Sequence, residues 1–195
     1  MPLAVGVIDI DWHITKIPER FGSGWTGYSW NRELIPEPEK LLKKLHDKKL
    51  KLSLNVHPAD GIRAYEDAYP AVAKRLGLDV ASEEPAIFDI ANPRFRESYF
   101  KDVHYPLEEQ GVDFWWIDWQ QGTQGVQDPL WLLNHYHYVD NCKRKDGGLI
   151  LSRYAGPGSH RYPVGFSGDA FITWESLKFQ PYFTSTASNI GYSWW

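Results

Sequence analysis

Cysteine is almost absent from this sequence, and its scarcity excludes two kinds of stabilised site. Cys142 is the single cysteine among 195 residues, so the chain can form neither an internal disulfide nor a four-cysteine metal centre. Positive charge is not in excess either, because the formal net charge is −4. We therefore expect no nucleic-acid partner, since phosphate binding requires a basic surface.

Long apolar runs are also missing. No segment approaches the ~20 apolar residues that a membrane-spanning helix needs, so we expect no membrane partner. The first residues lack the charged leader and cleavage site of a signal peptide. Residues 3–10 instead have the apolar, β-branched composition of a buried strand. Because the sequence opens inside a predicted core strand, we expect it to be part of a longer chain.

Aromatic residues, in contrast, are abundant. Ten tryptophans and eleven tyrosines are more than a core of this size needs, and aromatic faces stack on the C–H faces of sugar rings. This excess suits a carbohydrate site. Aromatic residues also dominate ordinary cores, and composition alone favours that simpler interpretation. The length fits one domain that spans residues 1–195.

Strand and helix patterns alternate along the chain. The predicted strands are residues 3–10, 51–56, 113–118, 148–152 and 164–168, with a last strand beginning in 190–195. The predicted helices are residues 37–48, one or two short helices in 60–76 interrupted by Pro70, then 93–110, 129–145, and 173–188 with a bend or split at Pro181. This order predicts parallel strands joined by helical crossovers.

Polar side chains cluster where the predicted strands end. They are Asp9 and Asp11, Asn55 and His57, Asp118 and Gln120, Arg153, and Asp169. A doubly wound sheet binds its ligand only at a switch point between strands, whereas polar tips on nearly every strand favour a barrel with its site at the carboxyl ends. We predict an α/β fold of the (β/α)8 TIM-barrel type. It is incomplete, with about five to six βα units, because a whole barrel takes ~250 residues.

Two aspartates are candidates for paired-carboxylate chemistry. Asp118 closes the apolar strand Phe-Trp-Trp-Ile-Asp, and Asp169 follows the turn-rich Gly-Phe-Ser-Gly. Retaining cleavage of a glycosidic bond needs two carboxyl groups ~5–5.5 Å apart, one to attack the anomeric carbon and one to protonate the leaving oxygen. A single strand-end aspartate is as easily a helix N-cap or a turn former. Several aspartates together at strand ends make the interpretation as helix N-caps or turn formers weaker.

Other side chains near these ends are candidates for substrate contact. Arg153 can grip a carboxylate or bond sugar hydroxyls, or it can organise the site through an ion pair. Strand alternation puts Trp116 on the face of Asp118 and Trp115 on the opposite face. We therefore expect Trp116 to face substrate and Trp115 to pack against a helix.

Histidines offer hydrogen bonds rather than a metal centre. His13 and His57 lie at strand ends and could bond hydroxyls. His135 and His137 are two residues apart in a predicted helix, which is poor spacing for joint ligation of a metal. We expect no metal and no cofactor.

Four motifs, in this order, resemble the signature of glycoside hydrolase family 31. They are Ile8-Asp9-Ile10-Asp11-Trp12, Trp116-Ile117-Asp118-Trp119, Ser152-Arg153-Tyr154 and Gly168-Asp169. The separation of Arg153 from Asp169 also matches the family's spacing between its arginine and its acid/base. In addition, residues 88–93 resemble the family's Pro-Asp-Phe-Thr-Asn-Pro segment. The family contains α-glucosidases, α-xylosidases and related enzymes that act with retention on a (βα)8 barrel.

The resemblance implies a role for each matching residue. Asp118 would be the nucleophile that forms a glycosyl-enzyme, and Asp169 the general acid/base. Substrate would be bound by Asp9 and Arg153 at the sugar in the −1 subsite, and by Trp116 and Phe166 lining the pocket. The implied substrate is an α-linked oligosaccharide or glycoside of glucose, xylose or galactose, without a cofactor.

Two departures from the family pattern touch this −1 region. Trp119-Gln120-Gln121 follows Asp118 where the family usually has Met-Asn-Glu after its nucleophile. His57 stands where the family often has the aspartate of its Val-Asp-Pro segment. We include His57 and Trp119 among the predicted substrate-binding residues.

The resemblance also predicts which parts of the family's catalytic domain are missing. The family's Asp-Ile-Gly-Gly strand would begin near Trp195, and its first strand would precede this sequence. An alternative function is therefore an inactive barrel fragment or a carbohydrate-binding remnant. Such a chain would need a missing segment, or self-association through its open sheet edges.

Overall fold

The computed structural model describes residues 3–122, 127–145, 147–162 and 164–192, in two compact units, Met1–Gln121 and Gly122–Trp195. The strands are β1 (Val5–Ile8), β2 (Lys51–Val56), β3 (Phe114–Ile117), β4 (Leu151–Arg153) and β5 (Gly165–Phe166). The helices are α1 (Pro38–Asp47), α2 (Tyr69–Leu76), α3 (Pro93–Ser98), α4 (Tyr105–Gln110), α5 (Pro129–Arg144) and α6 (Trp174–Asn189). A π-helical segment, Tyr99–His104, joins α3 to α4, and short 3-10 turns lie at Ile10–Trp12, Glu19–Phe21, Pro58–Asp60, Val80–Ser82 and Ser159–Arg161.

Three parallel strands organise the first unit. β2 lies between β1 and β3, with Val7 opposite Ser53 and Ser53 opposite Phe114. Parallel neighbours need a long crossover. Here α1 lies in the crossover from β1 to β2, and α2, α3 and α4 lie in the one from β2 to β3. The predicted alternation of strands and helices is confirmed in this unit.

The two faces of this sheet differ in chemistry. On one face Leu52, Leu54 and Val56 are fully buried. Trp115 lies on that face too, because its Nε1–H donates to Glu108 Oε1 on α4 at 2.9 Å, which confirms that it packs against a helix. The opposite face of β2 carries Ser53 and, toward the carboxyl end of the strand, Asn55.

The first strand is less buried than its composition predicts. Leu3, Val5 and Val7 are 75%, 41% and 45% exposed, so the predicted buried strand over residues 3–10 is wrong in its burial and too long. Val5 and Val7 alternate with Gly6, which pairs with Leu52, whereas Val7 pairs with Ser53 on the other face. They therefore point to the sheet face away from the helices, where the described residues give them little cover.

The helical stretch from residue 93 to residue 110 is confirmed, and it begins as the sequence indicates. The Asn92 side chain accepts hydrogen bonds from the amides of Arg94 and Phe95, and Pro93 takes the first helical position. The predicted interruption by Pro70 is wrong. Pro70 lies in the first turn of α2, where its missing N–H costs no hydrogen bond.

The second unit contains a parallel pair of strands between long helices. Ser152 lies opposite Gly165, and Arg153 opposite Phe166. Helix α6 runs unbroken through Pro181, so the helix is not split there; the bend that the sequence also allows stays a prediction. Residues 190–192 form the C-terminal cap of α6 and a turn, not the strand predicted in 190–195. Residues 193–195 lie outside the described residues.

Within the described ranges, no helix is long and apolar enough to cross a membrane. The same residues contain no group of three or more His, Cys, Asp or Glu side chains that could hold a metal ion.

Asp113 ties together the amino ends of β2 and β3. Its carboxylate accepts hydrogen bonds from Lys51 Nζ at 2.9 Å, from the Leu52 amide at 2.8 Å and from His46 Nε2 at 2.8 Å. Burial alone would raise the pKa of Asp113, but these three donors outweigh it and hold the pKa below its usual value.

We expect Asp113→Ala to lower the free energy of unfolding by about 2 kcal/mol at neutral pH, because it removes several hydrogen bonds to a charged group. A depressed carboxyl pKa stabilises the fold above the unfolded-state pKa of about 3.9. The advantage of the parent over the variant should therefore shrink as pH falls below that value, through the lower pKa of the folded state. Urea denaturation from pH 7 to pH 2.5 measures both effects.

The control is Glu37→Ala, which removes an exposed ion pair with Lys40. An exposed pair contributes less than about 1 kcal/mol. Equal losses in the two variants, or a difference that grows toward acid pH, would contradict the role of Asp113.

Candidate active site

The carboxyl ends of β2 and β3 bring a histidine and an aspartate together. His57 and Asp118 each follow the last residue of their strand, and Val56 pairs with Ile117 immediately before them. His57 Nε2 lies 3.0 Å from Asp118 Oδ2, and the two side chains are only 4% and 5% exposed. Gln120 Nε2 lies 3.4 Å from the other carboxylate oxygen. The first unit thus holds a buried carboxylate between side-chain donors.

A loop that follows β1 holds His57 from two sides. The Trp25 ring packs against the His57 ring with centroids 4.9 Å apart, and Thr26 Oγ1 donates to the His57 carbonyl. Trp25 itself is 48% exposed. Trp25 is not among the residues predicted from the sequence. A tryptophan among glycines, in the segment that follows a strand with aspartates at its end, is the available signal.

Glycines set the path of this loop. Gly24 has a φ of +72°, and a Cβ there would lie 2.0 Å from the Thr15 carbonyl oxygen. A Cβ on Gly27 would overlap the His13 ring at 2.2 Å. No other residue fits these positions without moving the backbone that carries Trp25 and Thr26.

A buried glutamate anchors the far end of the same loop. Glu66 Oε2 accepts from the Tyr28 amide at 3.1 Å and from Ser29 Oγ at 2.6 Å. Burial raises the pKa of Glu66, although the bonds from Ser29 and Tyr28 act in the opposite direction. The carboxyl is 3% exposed overall, so it supports the loop rather than meeting a ligand.

His13 also lies inside the unit. It is fully buried, and burial lowers its pKa to about 4, more than the hydrogen bond to the Ile14 carbonyl raises it. Its ring meets Trp12 edge-on at 5.4 Å. His13 is thus a neutral packing residue at ordinary pH, and it is placed poorly for the hydroxyl contact predicted from its position.

The other predicted residues of the first unit take different positions. Trp116 is half-buried on the sheet face of Asp118, opposite Asn55. Trp119 is 3% exposed and packs against Phe88 with ring centroids 5.1 Å apart. Asp9 is exposed, and its Oδ1 accepts from the Ile10 amide at 2.7 Å, so its carboxylate caps a turn.

Three predicted residues of the second unit form one cluster. Arg153 Nη2 lies 3.0 Å from Asp169 Oδ2, and the Arg153 guanidinium carbon lies 5.1 Å from the centre of the Phe166 ring. Asp169 is 76% exposed, whereas Arg153 is 17% exposed. Gly168 has a φ of +98°, and a Cβ there would lie 2.5 Å from Arg153 Nη1. The glycine therefore makes room for the arginine beside Asp169.

Comparison with known proteins identifies the chain's family. The family model described as the glycosyl hydrolases family 31 TIM-barrel domain matches residues 1–195. The chain belongs to glycoside hydrolase family 31. The predicted family and the predicted TIM-barrel fold class are thereby confirmed.

Curated relatives of this family 31 chain are much longer than it is. The neutral alpha-glucosidase C of Homo sapiens is 23% identical over 190 residues, which covers 77% of this chain and 21% of the relative. The alpha-xylosidase XylQ of Lactiplantibacillus pentosus is 28% identical over 103 residues, which covers 52% of this chain and 10% of the relative. The chain thus spans about a fifth or less of these relatives.

Solved family 31 structures share the fold. A GH31 alpha-xylosidase from a soil metagenome, complexed with xylose, has a TM-score of 0.69 at 17% identity, covering 99% of this chain and 31% of that one. The GH31 alpha-xylosidase of Xanthomonas citri has a TM-score of 0.66 at 17% identity, covering 97% and 24%. Likeness at this identity concerns the fold alone.

We expect Gly168→Ala to displace the Arg153 guanidinium from Asp169, because the added methyl occupies the position of Nη1. Arg153 has a flexible side chain, so the loss of stability should come from the left-handed backbone, about 1–2 kcal/mol. A crystal structure of the variant measures the separation of Arg153 from Asp169, which should exceed 4 Å.

Gly158→Ala is the matched control. Gly158 has a similar φ of +94°, and a Cβ there meets nothing within 4 Å. It should show the same loss of stability with the ion pair intact. If Arg153 stays on Asp169 in both variants, Gly168 does not set the position of the arginine.

Proposed function

We propose that the protein containing this chain hydrolyses α-linked glycosides by a retaining double displacement, with Asp118 as the nucleophile and Asp169 as the general acid/base. The observation that carries the proposal is the buried Asp118 carboxylate, held at the end of β3 by His57 and Gln120. Carboxylates are rarely buried unless they are paired, and a nucleophile needs a fixed direction of attack.

Asp118 has the environment that a nucleophile requires. It must be ionised to attack, and hydrogen bonds to a carboxylate favour the ionised form. In the first step an Asp118 oxygen forms a bond to the anomeric carbon while the bond from that carbon to the leaving oxygen breaks. Its apolar strand and the half-buried Trp116 beside it would limit access of water to this carbon.

Asp169 is the proposed acid/base, on the basis of its place in the family motif. It donates its proton to the leaving oxygen in the first step. In the second step it takes a proton from water, whose oxygen attacks the anomeric carbon and frees Asp118. Arg153 Nη2 lies 3.0 Å from Asp169 Oδ2, and we propose that Arg153 also bonds sugar hydroxyls in the −1 subsite, as Asp9 does.

The substrate class follows from the relatives, which are named as an alpha-glucosidase and alpha-xylosidases. We propose an α-glucoside or an α-xyloside before an α-galactoside. Phe166, under the Arg153 guanidinium, would form an apolar wall for the sugar ring. Trp119, which packs against Phe88, would support the wall of the pocket.

A second candidate function is sugar binding without turnover in a chain that associates through its sheet edge. The position of β1 at the edge of the described sheet favours it, since an edge strand offers unpaired backbone groups to another chain. A folded dimer that binds glycosides and hydrolyses none would support this candidate over the first.

We expect Asp118→Asn to lower hydrolysis of aryl α-glucoside and α-xyloside by at least about 10³-fold in the full-length protein. The amide keeps the shape of the side chain but cannot form the glycosyl ester. Asp128→Asn is the control, because Asp128 caps α5 and asparagine caps equally well. Full activity in Asp118→Asn would refute the assignment.

The two carboxyl roles can be separated with azide. Azide should restore turnover in Asp169→Ala by attacking the glycosyl-enzyme, and the product should be the α-glycosyl azide. In Asp118→Ala, azide replaces the nucleophile and should give the β-glycosyl azide. NMR of the product distinguishes the α- from the β-glycosyl azide. A β-glycosyl azide from Asp169→Ala would overturn the proposed roles.

A further inference from the structure

We propose that His57 is a positioning residue for the nucleophile: it fixes one oxygen of Asp118 so that the carboxylate meets the anomeric carbon in one orientation. This inference rests on the proposed role of Asp118. It differs from the role predicted for His57 from the sequence, which was direct contact with the sugar.

The contact defines which nitrogen of His57 carries a proton. Nε2 lies 3.0 Å from Asp118 Oδ2, and a carboxylate oxygen offers only lone pairs. A second lone pair on Nε2 would repel it, so Nε2 must carry the hydrogen and donate it. Nδ1 is buried and has no hydrogen-bond partner among the described residues. Among the described residues, the hydrogen-bond partner of the His57 ring is therefore the proposed nucleophile, Asp118.

The backbone builds this pair. Val56 and Ile117 are in register, and the Asp118 amide donates to the Val56 carbonyl at 3.0 Å. The next residue of each strand is therefore held beside the other. Two side chains fixed by a strand ladder lose little further freedom when they bond, which is the condition for a preorganised site.

The loop after β1 prevents the ring from turning away. Trp25 covers one side of the imidazole, and Thr26 bonds the carbonyl of the same residue. Thr26 Oγ1 also accepts from the Asp60 amide at 3.1 Å, which fixes the chain just beyond His57. These contacts hold the imidazole in the orientation in which Nε2 bonds Asp118.

The bond has a consequence for the reaction. If Asp118 attacks through Oδ1, then Oδ2 becomes the carbonyl oxygen of the glycosyl ester and can keep its hydrogen bond from His57. The carboxylate then does not need to rotate in either step. Removing the donor should therefore slow formation of the bond between Asp118 and the anomeric carbon, with little effect on the affinity for the sugar.

The test compares His57→Gln with His57→Met in the full-length protein. The two side chains have similar length, but only glutamine offers an N–H to Asp118. On an aryl α-glycoside we expect His57→Met to lose about 10- to 100-fold in kcat, with KM changed less than about 3-fold. We expect His57→Gln to recover most of that kcat. His57→Ala repeats the comparison if the methionine variant does not fold.

The matched control is His46→Met. His46 also bonds an aspartate, Asp113 at 2.8 Å, but at the opposite ends of the same two strands. If loss of a histidine–aspartate bond acted by loosening the sheet, this variant would lower kcat too. Equal kcat losses in His46→Met and His57→Met would overturn the positioning role.

The remaining outcomes separate the two proposals. If Asp118→Asn is inactive and His57→Met keeps the parent's kcat, the positioning role is wrong and the nucleophile stands. A rise in KM alone assigns His57 to sugar binding, which also overturns the inference. If a 5-fluoro-α-glycosyl fluoride labels a residue other than Asp118, as read by peptide mass spectrometry, both proposals fall.

Discussion

The register between β2 and β3 is the constraint on which the first unit depends. Parallel pairing places the amino ends of the two strands side by side and their carboxyl ends side by side. Residues that flank one strand therefore lie close to residues that flank the other. At the amino ends this brings Asp113 to Lys51 and the Leu52 amide. At the carboxyl ends it brings His57 to Asp118. One end carries a structural tie and the other the buried carboxylate proposed as the nucleophile, and the same ladder sets the geometry of both.

This division of labour follows a general feature of barrels. Residues at the amino ends serve stability, whereas loops at the carboxyl ends supply chemistry. In this chain the contrast is visible in a pair of similar contacts. His46 lies 2.8 Å from Asp113 and His57 lies 3.0 Å from Asp118, each through Nε2. His46 is 37% exposed on its side chain and His57 only 4%, so water can compete for the first bond far more easily than for the second.

Much of the fold could be predicted from the sequence, because local patterns determine it. Asn92 before Pro93 is a helix start that needs no tertiary information, and the apolar run before Asp118 is long enough to mark a strand. The errors have tertiary causes. Val5 and Val7 have the composition of core residues, but burial depends on what covers a face. Pro181 removes one hydrogen bond from α6, and the rest of the helix tolerates that loss.

For the candidate site, sequence patterns predict the two carboxylates, and their roles remain a proposal. Asp118 and Asp169 follow from strand-end position and family motifs. Arg153 beside Asp169, and His57 beside Asp118, depend on side-chain directions that spacing does not give. Trp25 depends on how a loop packs against His57. Sequence patterns therefore indicate candidate groups, and packing determines which side chains surround them.

The two glycines that shape the loop after β1 have an evolutionary consequence. At Gly24 and Gly27 any side chain would overlap backbone or ring atoms, so the path of the loop cannot drift by single substitutions. Trp25 lies between them, half exposed, and only one side of its ring packs against His57. Single substitutions would therefore change the surface beside the His57–Asp118 pair by exchanging this side chain on a fixed backbone, rather than by remodelling the loop.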